Sequence, residues 1–451
     1  MTAITLAAWS GNGKPLPVDL YLLILAMAFA AYFFVCKVAF RTSALNSGET
    51  VGPGVGRTML VVAIAARLIM FAAPHRINGD VSRYVWDGYL VTNGINPYKF
   101  APSDPELLQF QSNHRFEQLN TEFNQIKTVY GPVAMVVFAT ANLIGGDPEN
   151  DIRLLMVIGD VVAIYLLGLV FRRTGRSEVW LLLYAMNPLL IESFAERGQM
   201  EGVIVPLIAA TIYCVASRRM VFAGTFIALA AAAKIHLVLL LPIIFVIEFA
   251  KEKENGLKVV AGFGATLSIC AIPYLTAWPN SISGILEFGA TWQANNSLFS
   301  MAKSIMGEDN ARWFVVIAFI GVYSAVLYRC KQNGRDRVVQ YAEASMLTFV
   351  ALLVLSPAVF PWYLTWCLPF LPVIACRPQN HWLVVFVALW SSTVLLWYLK
   401  FLIYDDATSY FSVTTSSAKQ LSDYLKEPWR IVEYGLPAIA SLFYLMETKK
   451  R

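Results

Sequence analysis

The chain has 451 residues, 57% of them hydrophobic and only 14% charged, whereas an ordinary soluble protein is about 25% charged. That balance excludes a soluble globular fold and leaves no stretch for a soluble domain of useful size. The formal charge of +5 sits in Lys and Arg near span ends, where it biases orientation, so it implies no nucleic-acid partner.

The opening "MTAITLAAWSGNGKPLPVDLYLL" lacks the basic n-region of a cleavable signal, so the first apolar run is expected to be a retained span. A span needs about 20 apolar residues. Runs of this kind predict spans near 19–40, 57–73, 152–171, 179–195, 200–217, 221–233, 235–250, 258–277, 311–328, 340–358, 361–376, 381–398 and 430–447. The six cysteines, Cys36, Cys214, Cys270, Cys330, Cys367 and Cys376, form no CxxC or metal spacing and read as small core residues.

Positive charges mark the cytoplasmic side. They cluster at Lys37/Arg41/Arg57, Arg172/Arg173/Arg176, Arg218/Arg219, Lys251/Lys253/Lys258, Arg329/Lys331/Arg335/Arg337, Arg377 and Lys449/Lys450/Arg451. With these inside, the segment 128–146, "TVYGPVAMVVFATANLIGG", cannot cross, because a crossing would carry Arg172, Arg173 and Arg176 to the outer face. It reads as a helix in the interface or dipping into the outer leaflet. The expectation is an all-α, polytopic membrane helix bundle of about 13 spans in a single domain, 1–451, with the N-terminus outside and the C-terminus inside. A large outer loop would run from 74 to 151 with juxtamembrane helices, and smaller ones over 278–310 and 399–429. Long ordered loops usually carry function.

Four constellations could carry chemistry. In "NGDVSRYVWDGYLVTNGINPYKFAP", residues 78–102, a helix is expected from Asp80 to about Asn93, with Asn78 or Asp80 as N-cap and Gly94 beyond its end. Asp80, Arg83, Tyr84 and Asp87 fall at i, i+3, i+4 and i+7 and share one face. Asp80 could be a general base at headgroup level, with Arg83 for an anionic group. Equally, Asp80 could simply cap the helix, and Asp87 pair with Arg83 as a solvated surface ion pair.

In "ESFAERGQMEG", residues 192–202, the acids Glu192, Glu196 and Glu201 and the base Arg197 sit at a hydrophobic hairpin end, where charges are costly. They could instead form an outer turn that stays in water. In "AAAKIHLVLLLP", Lys234 and His236 interrupt an apolar region and suit a phosphate, the alternative being a snorkelling lysine that ends a span. In "SPAVFPWYLTWCLPFLP" and "TWQANNSLFS", Trp292, Trp362 and Tyr363 offer aromatic faces and neighbouring amides of the type that hold sugars, although Trp362 and Trp366 also suit an interfacial belt. There is no P-loop, GxGxxG, HExxH or His/Cys metal cluster.

Together these residues resemble the integral-membrane glycosyltransferases of the GT-C class, and within it the polyprenyl-phosphate-mannose-dependent bacterial mannosyltransferases. The likeness is carried by "DVSRYVWDG", "GINPYKFAP" with Tyr98, "VYGP" with Tyr130, "YAMNPLLIESFAERGQMEG", "AAAKIHLVLLLP" and "PWYLTWCLPFL", in that order from residue 78 to about 370. Relatives often carry His-Asn-Asp near "ERGQMEG" and "YPP" in place of "YGP", the latter a small change to a turn.

The resemblance implies transfer of a hexose, mannose first, from a polyprenyl-phosphate sugar to a hydroxyl of a glycan or glycolipid acceptor. The work would be done at the outer face of a bacterial plasma membrane, by an inverting single displacement with Asp80 as base. It implies substrate contacts from Arg83, Tyr84, Asp87, Tyr98, Tyr130, Glu196, Glu201, Lys234, His236, Trp292, Trp362 and Tyr363. No cofactor is required, while a divalent ion held by Asp80 with Glu196 or Glu201 stays open. The rivals are a lipid-linked sugar flippase or other transporter, which would line a midplane path with polar groups, and a ligase or polymerase using a lipid diphosphate, which would need more cations in the large loops.

Overall fold

The computed structural model describes residues 18–44, 53–73, 79–111, 123–278, 280–331, 336–398 and 429–448. In chain order the helices are α1 (Val18–Ala44), α2 (Pro53–Ala72), α3 (Gly79–Thr92), α4 (Pro132–Ile144), α5 (Pro148–Thr174), α6 (Glu201–Ala216), α7 (Met220–Ala233) and α8 (Leu240–Lys251). They continue with α9 (Lys253–Cys270), α10 (Ser283–Thr291), α11 (Leu298–Met306), α12 (Glu308–Cys330), α13 (Arg337–Leu355), α14 (His381–Thr393) and α15 (Trp429–Thr448). Short helical turns join them. Among the described residues the one extended pairing is a parallel bridge between Ala294 and Ala358.

Five helical stretches are long and apolar enough to cross a membrane: Leu22–Arg41, Pro148–Thr174, Glu308–Cys330, Arg337–Leu355 and Pro378–Tyr398. The all-helical membrane fold is as expected, but several of the expected spans are shorter or broken. Segment 128–146 holds the 13-residue helix α4, about 20 Å long at 1.5 Å per residue, well short of a hydrocarbon core of about 30 Å. Most of the expected loop 399–429 and the basic tail lie outside the described residues.

The expected span 179–195 is not one helix. It is a 3-10 turn (Glu178–Leu181), a helical turn (Leu182–Ala185), a break at Met186–Asn187, a second turn (Pro188–Ile191) and a wide π turn (Glu192–Glu196). Pro188 has no N–H to continue a helix. Asn187 restarts it, its side-chain oxygen accepting from Leu189 N at 3.0 Å. The expected span 361–376 is interrupted in the same way: Pro361–Trp366 is a 3-10 turn and Leu371–Ala375 a single helical turn, with Pro369 and Pro372 between and within them.

The chain divides into two compact units. The first comprises Met1–Pro74, Leu167–Glu192 and Gln293–Arg451. In it the carbonyls freed by the break are taken up by neighbouring helices: Tyr32 Oη donates to Leu183 O at 2.9 Å, and Arg67 Nη1 to Ala185 O at 2.7 Å. A buried backbone acceptor left unpaired inside a membrane would cost several kcal/mol. Helix α13 is capped by Asp336, whose carboxylate accepts from Val338 N and Val339 N.

The second unit comprises His75–Leu166 and Ser193–Trp292. Its helices cross at glycines. A methyl group on Gly224 of α7 would lie 1.9 Å from Val259 O of α9, and one on Gly262 of α9 would lie 2.0 Å from Val221 O of α7. Between α5 and α6 the same is true of Gly159, 2.1 Å from Gly202 O. Small residues let helix backbones touch where no hydrophobic force drives association.

Candidate active site

Helix α3 forms where the sequence places it. Asp80 stands in its first turn, where a negative charge favours the helix N-terminus, and Gly94 follows its end at φ 72°, a conformation glycine adopts freely. Its packing partner is α4. Gly88 of α3 approaches Phe138 O so closely that a methyl group there would be 2.3 Å from it, and Asn142 Nδ2 donates to Val85 O at 3.1 Å.

The four polar residues expected on one face of α3 divide into two pairs. Arg83 and Asp87 are buried and turned to each other, with Arg83 Nε donating to Asp87 Oδ1 at 2.9 Å and Arg83 Nη1 to Ile126 O at 3.0 Å. The solvated surface pair is therefore corrected to an interior one: segment 123–131 folds over this face of α3 and supplies the Ile126 carbonyl. Asp80 and Tyr84 point instead toward the turn that precedes α6. Gln199 Nε2 lies 3.4 Å from Asp80 Oδ2, and Tyr84 Oη donates to Gln199 Oε1 at 3.1 Å.

Gln199 is the residue that sequence reasoning passed over. It lies inside "ERGQMEG", where the flanking charges drew attention and a neutral amide gave no signal. Its position is built by the π turn Glu192–Glu196 and by Gly198 at φ 63°. From α5, Arg153 clamps the turn, donating from Nε and Nη2 to Ala195 O at 3.0 and 2.6 Å. Glu196 is half-buried beside it and interacts electrostatically with Arg153.

Two residues beyond Gln199, Glu201 opens α6 with no exposed surface. Its Oε1 accepts from Lys234 Nζ at 2.5 Å. Lys234 is the C-cap of α7, and His236 follows on the 3-10 turn Ile235–Leu239 that leads into α8. Gly131 N donates to Ala233 O at 3.1 Å, tying "VYGP" to the residue before Lys234.

The electrostatics converge on Asp80. Burial raises its carboxyl from 3.8 to about 6; the Gln199 amide opposes this, Glu201 adds to it, and Lys234 and Arg197 oppose it. A carboxyl raised to about 6 is still largely ionised near neutral pH and is a stronger base than an ordinary carboxylate.

The remaining expected contacts fall in separate places. Tyr130 stands edge-on to Tyr84 at 5.0 Å, beside the Asp80 group. Tyr98 stacks on Tyr274 at 4.4 Å and its hydroxyl donates to Tyr130 O at 3.1 Å, so it holds the Tyr130 backbone and does not itself reach the Asp80 group. Trp292 is buried against Phe288 at 5.1 Å. Trp362 and Tyr363 belong to the other unit, where Trp362 stacks on Phe360 at 4.9 Å and Tyr363 on Trp366 at 4.6 Å. Among the described residues no group of three or more His, Cys, Asp or Glu side chains could hold a metal ion.

The structure is similar to two crystal structures of ArnT from Cupriavidus metallidurans, one bound to undecaprenyl phosphate and one in the apo state. The TM-scores are 0.50 and 0.51 at 14% and 13% identity, each match covering 88% of this chain and 73% of the other. At such identity the likeness shows the fold, which is of GT-C type. No curated protein matches the chain. The family model described as alpha-(1->6)-mannopyranosyltransferase, N-terminal domain, matches residues 3–250, more than half the chain and all of the Asp80, Gln199, Glu201 and Lys234 group. This membrane-embedded glycosyltransferase of GT-C fold thus belongs to the alpha-(1->6)-mannopyranosyltransferase family.

Proposed function

We propose that the protein transfers mannose from a polyprenyl monophosphate to a hydroxyl of a glycan or glycolipid at the outer face of the membrane, by an inverting single displacement. The observation that carries this reading is the placement of Asp80, a carboxylate raised to about 6, beside a lysine at a helix end.

Asp80 takes the proton of the acceptor hydroxyl as its oxygen attacks the anomeric carbon. The bond to the phosphate oxygen breaks on the opposite face, and the lipid monophosphate leaves with the electron pair. Lys234 is the cation for the developing phosphate charge, with His236 next to it in the chain. The donor class is supported by the family and by the undecaprenyl phosphate bound in the ArnT structure. Lys234 lies within electrostatic reach of Asp80, whereas Arg83 is turned away to Asp87 and Ile126 O, so Lys234 precedes it as the phosphate contact.

The test is transfer of labelled sugar from a panel of polyprenyl monophosphate sugars in membranes carrying the wild-type chain or Asp80→Asn. Loss of a general base costs typically about 10²–10⁴-fold. A loss of that size in a correctly inserted variant supports the reading, and an unchanged rate removes Asp80 from the chemistry.

A further inference from the structure

The turn that carries Gln199 is fixed more firmly than a loop of its length requires. Gln199 N donates to Ser193 O at 2.9 Å, Gly202 N returns a bond to Gln199 O at 3.1 Å, and Arg153 holds Ala195 O twice. The Gln199 side chain has no exposed surface. It reaches between two residues of one helix face, Asp80 and Tyr84, which are one turn apart.

The polarity of that bridge is dictated by its ends. An ionised carboxylate only accepts hydrogen bonds, so the amide nitrogen must face Asp80. The amide oxygen then faces Tyr84, whose hydroxyl must donate. Tyr84 itself is held by its ring, stacked on Phe138 at 4.5 Å and edge-on to Tyr130 at 5.0 Å.

From this geometry we infer that Gln199 is a positioning residue for the transfer reaction: oriented by the Tyr84 hydroxyl, its amide N–H aims the Asp80 carboxylate and keeps it in the proton-accepting form. The inference rests on Asp80 being the base.

The other groups that face Asp80 pull in both directions. Glu201 from α6 opposes ionisation, whereas Lys234 from the end of α7 and Arg197 from the turn favour it. Tyr84 faces it as a neutral phenol, its hydroxyl held well above the ordinary range by burial, with the Tyr130 ring edge-on behind it. Gln199 is uncharged and donates directly to the carboxylate, which lowers the pKa of Asp80 against the pull of burial. Hydrogen bonds to a charged form favour that form.

The test is the pH dependence of kcat/KM for membranes carrying the full-length wild type, Gln199→Met, Tyr84→Phe or Asp80→Asn. The labelled donor is the one that wild type uses, and the acceptor is a synthetic alkyl mannoside. Gln199→Met is expected to move the acid limb up by about one pH unit, with activity recovering at alkaline pH. Tyr84→Phe is expected to move it the same way by less. A uniform loss at every pH, or an unmoved acid limb, overturns the inference while an inactive Asp80→Asn leaves the base reading standing. Transfer by Asp80→Asn overturns both.

Discussion

The carboxylate of Glu201, fully buried at the start of α6, holds the ammonium of Lys234 at the end of α7 at 2.5 Å. Neither partner is a surface decoration. Removing one charge of a buried pair leaves the other stranded, at a cost of about 3–5 kcal/mol, whereas removing both is much milder. Lys234→Met alone is therefore expected to unfold in detergent at a clearly lower temperature than wild type, and the Glu201→Met/Lys234→Met double variant to recover most of the difference. Thermal unfolding monitored by tryptophan fluorescence checks this. Additive losses would show that the two residues do not act as a pair.

With Asp80 as the proposed base, the pH dependence of transfer follows from its ionisation. Its carboxyl is raised to about 6, and only the ionised form accepts a proton, so the initial rate is expected to fall as pH drops through about 6. The sign for stability is opposite. A carboxyl raised in the folded chain favours folding below its ordinary 3.8, and that contribution is lost as pH rises through about 6. Rate–pH profiles in membranes check the first statement, and thermal unfolding of wild type against Asp80→Asn between pH 4 and 7 checks the second.

Gly131 is more than a variant of a turn. A methyl group there would sit 2.0 Å from Ala232 O, and its N–H donates to Ala233 O. Gly131→Ala is expected to destabilise by about 1–3 kcal/mol, as overpacking does, and Gly131→Pro by more because the hydrogen bond is lost as well. Unfolding midpoints of the purified variants measure the order. Equal stability of all three would show that α7 gives way easily.

Arg83 is expected to behave as an interior residue. Arg83→Gln leaves Asp87 buried without its ion partner, so the unfolding temperature falls, while KM for the donor in the surviving folded protein stays near that of wild type. A raised donor KM with unchanged stability would return Arg83 to the phosphate.

Much of this was legible from residue patterns. The boundaries of α3 follow from Asp80 and Gly94, and the 13-residue α4 is compatible with the non-crossing helix that the charge distribution implies for 128–146. Lys234 stood out because a lone ammonium in an apolar run needs a reason. The break at Asn187–Pro188 was harder, since an apolar run containing one proline also reads as a kinked span. The burial of the Arg83–Asp87 pair depends on a distant segment folding over α3, which periodicity along the helix cannot show. Gln199 was invisible because what marks it is the two side chains it lies between, and those are more than a hundred positions away in sequence.

The interrupted segment in the first unit also bears on how the chain is made. Its loose carbonyls at Leu183 and Ala185 are accepted by Tyr32 of α1 and Arg67 of α2. Both donors belong to helices that leave the ribosome more than a hundred residues earlier. Both are synthesised before the broken segment, and each carries a donor that reaches one of its carbonyls, Arg67 while also bonded to Ala63 O of its own helix. The order of synthesis thus makes both hydrogen-bond partners before the carbonyls that need them.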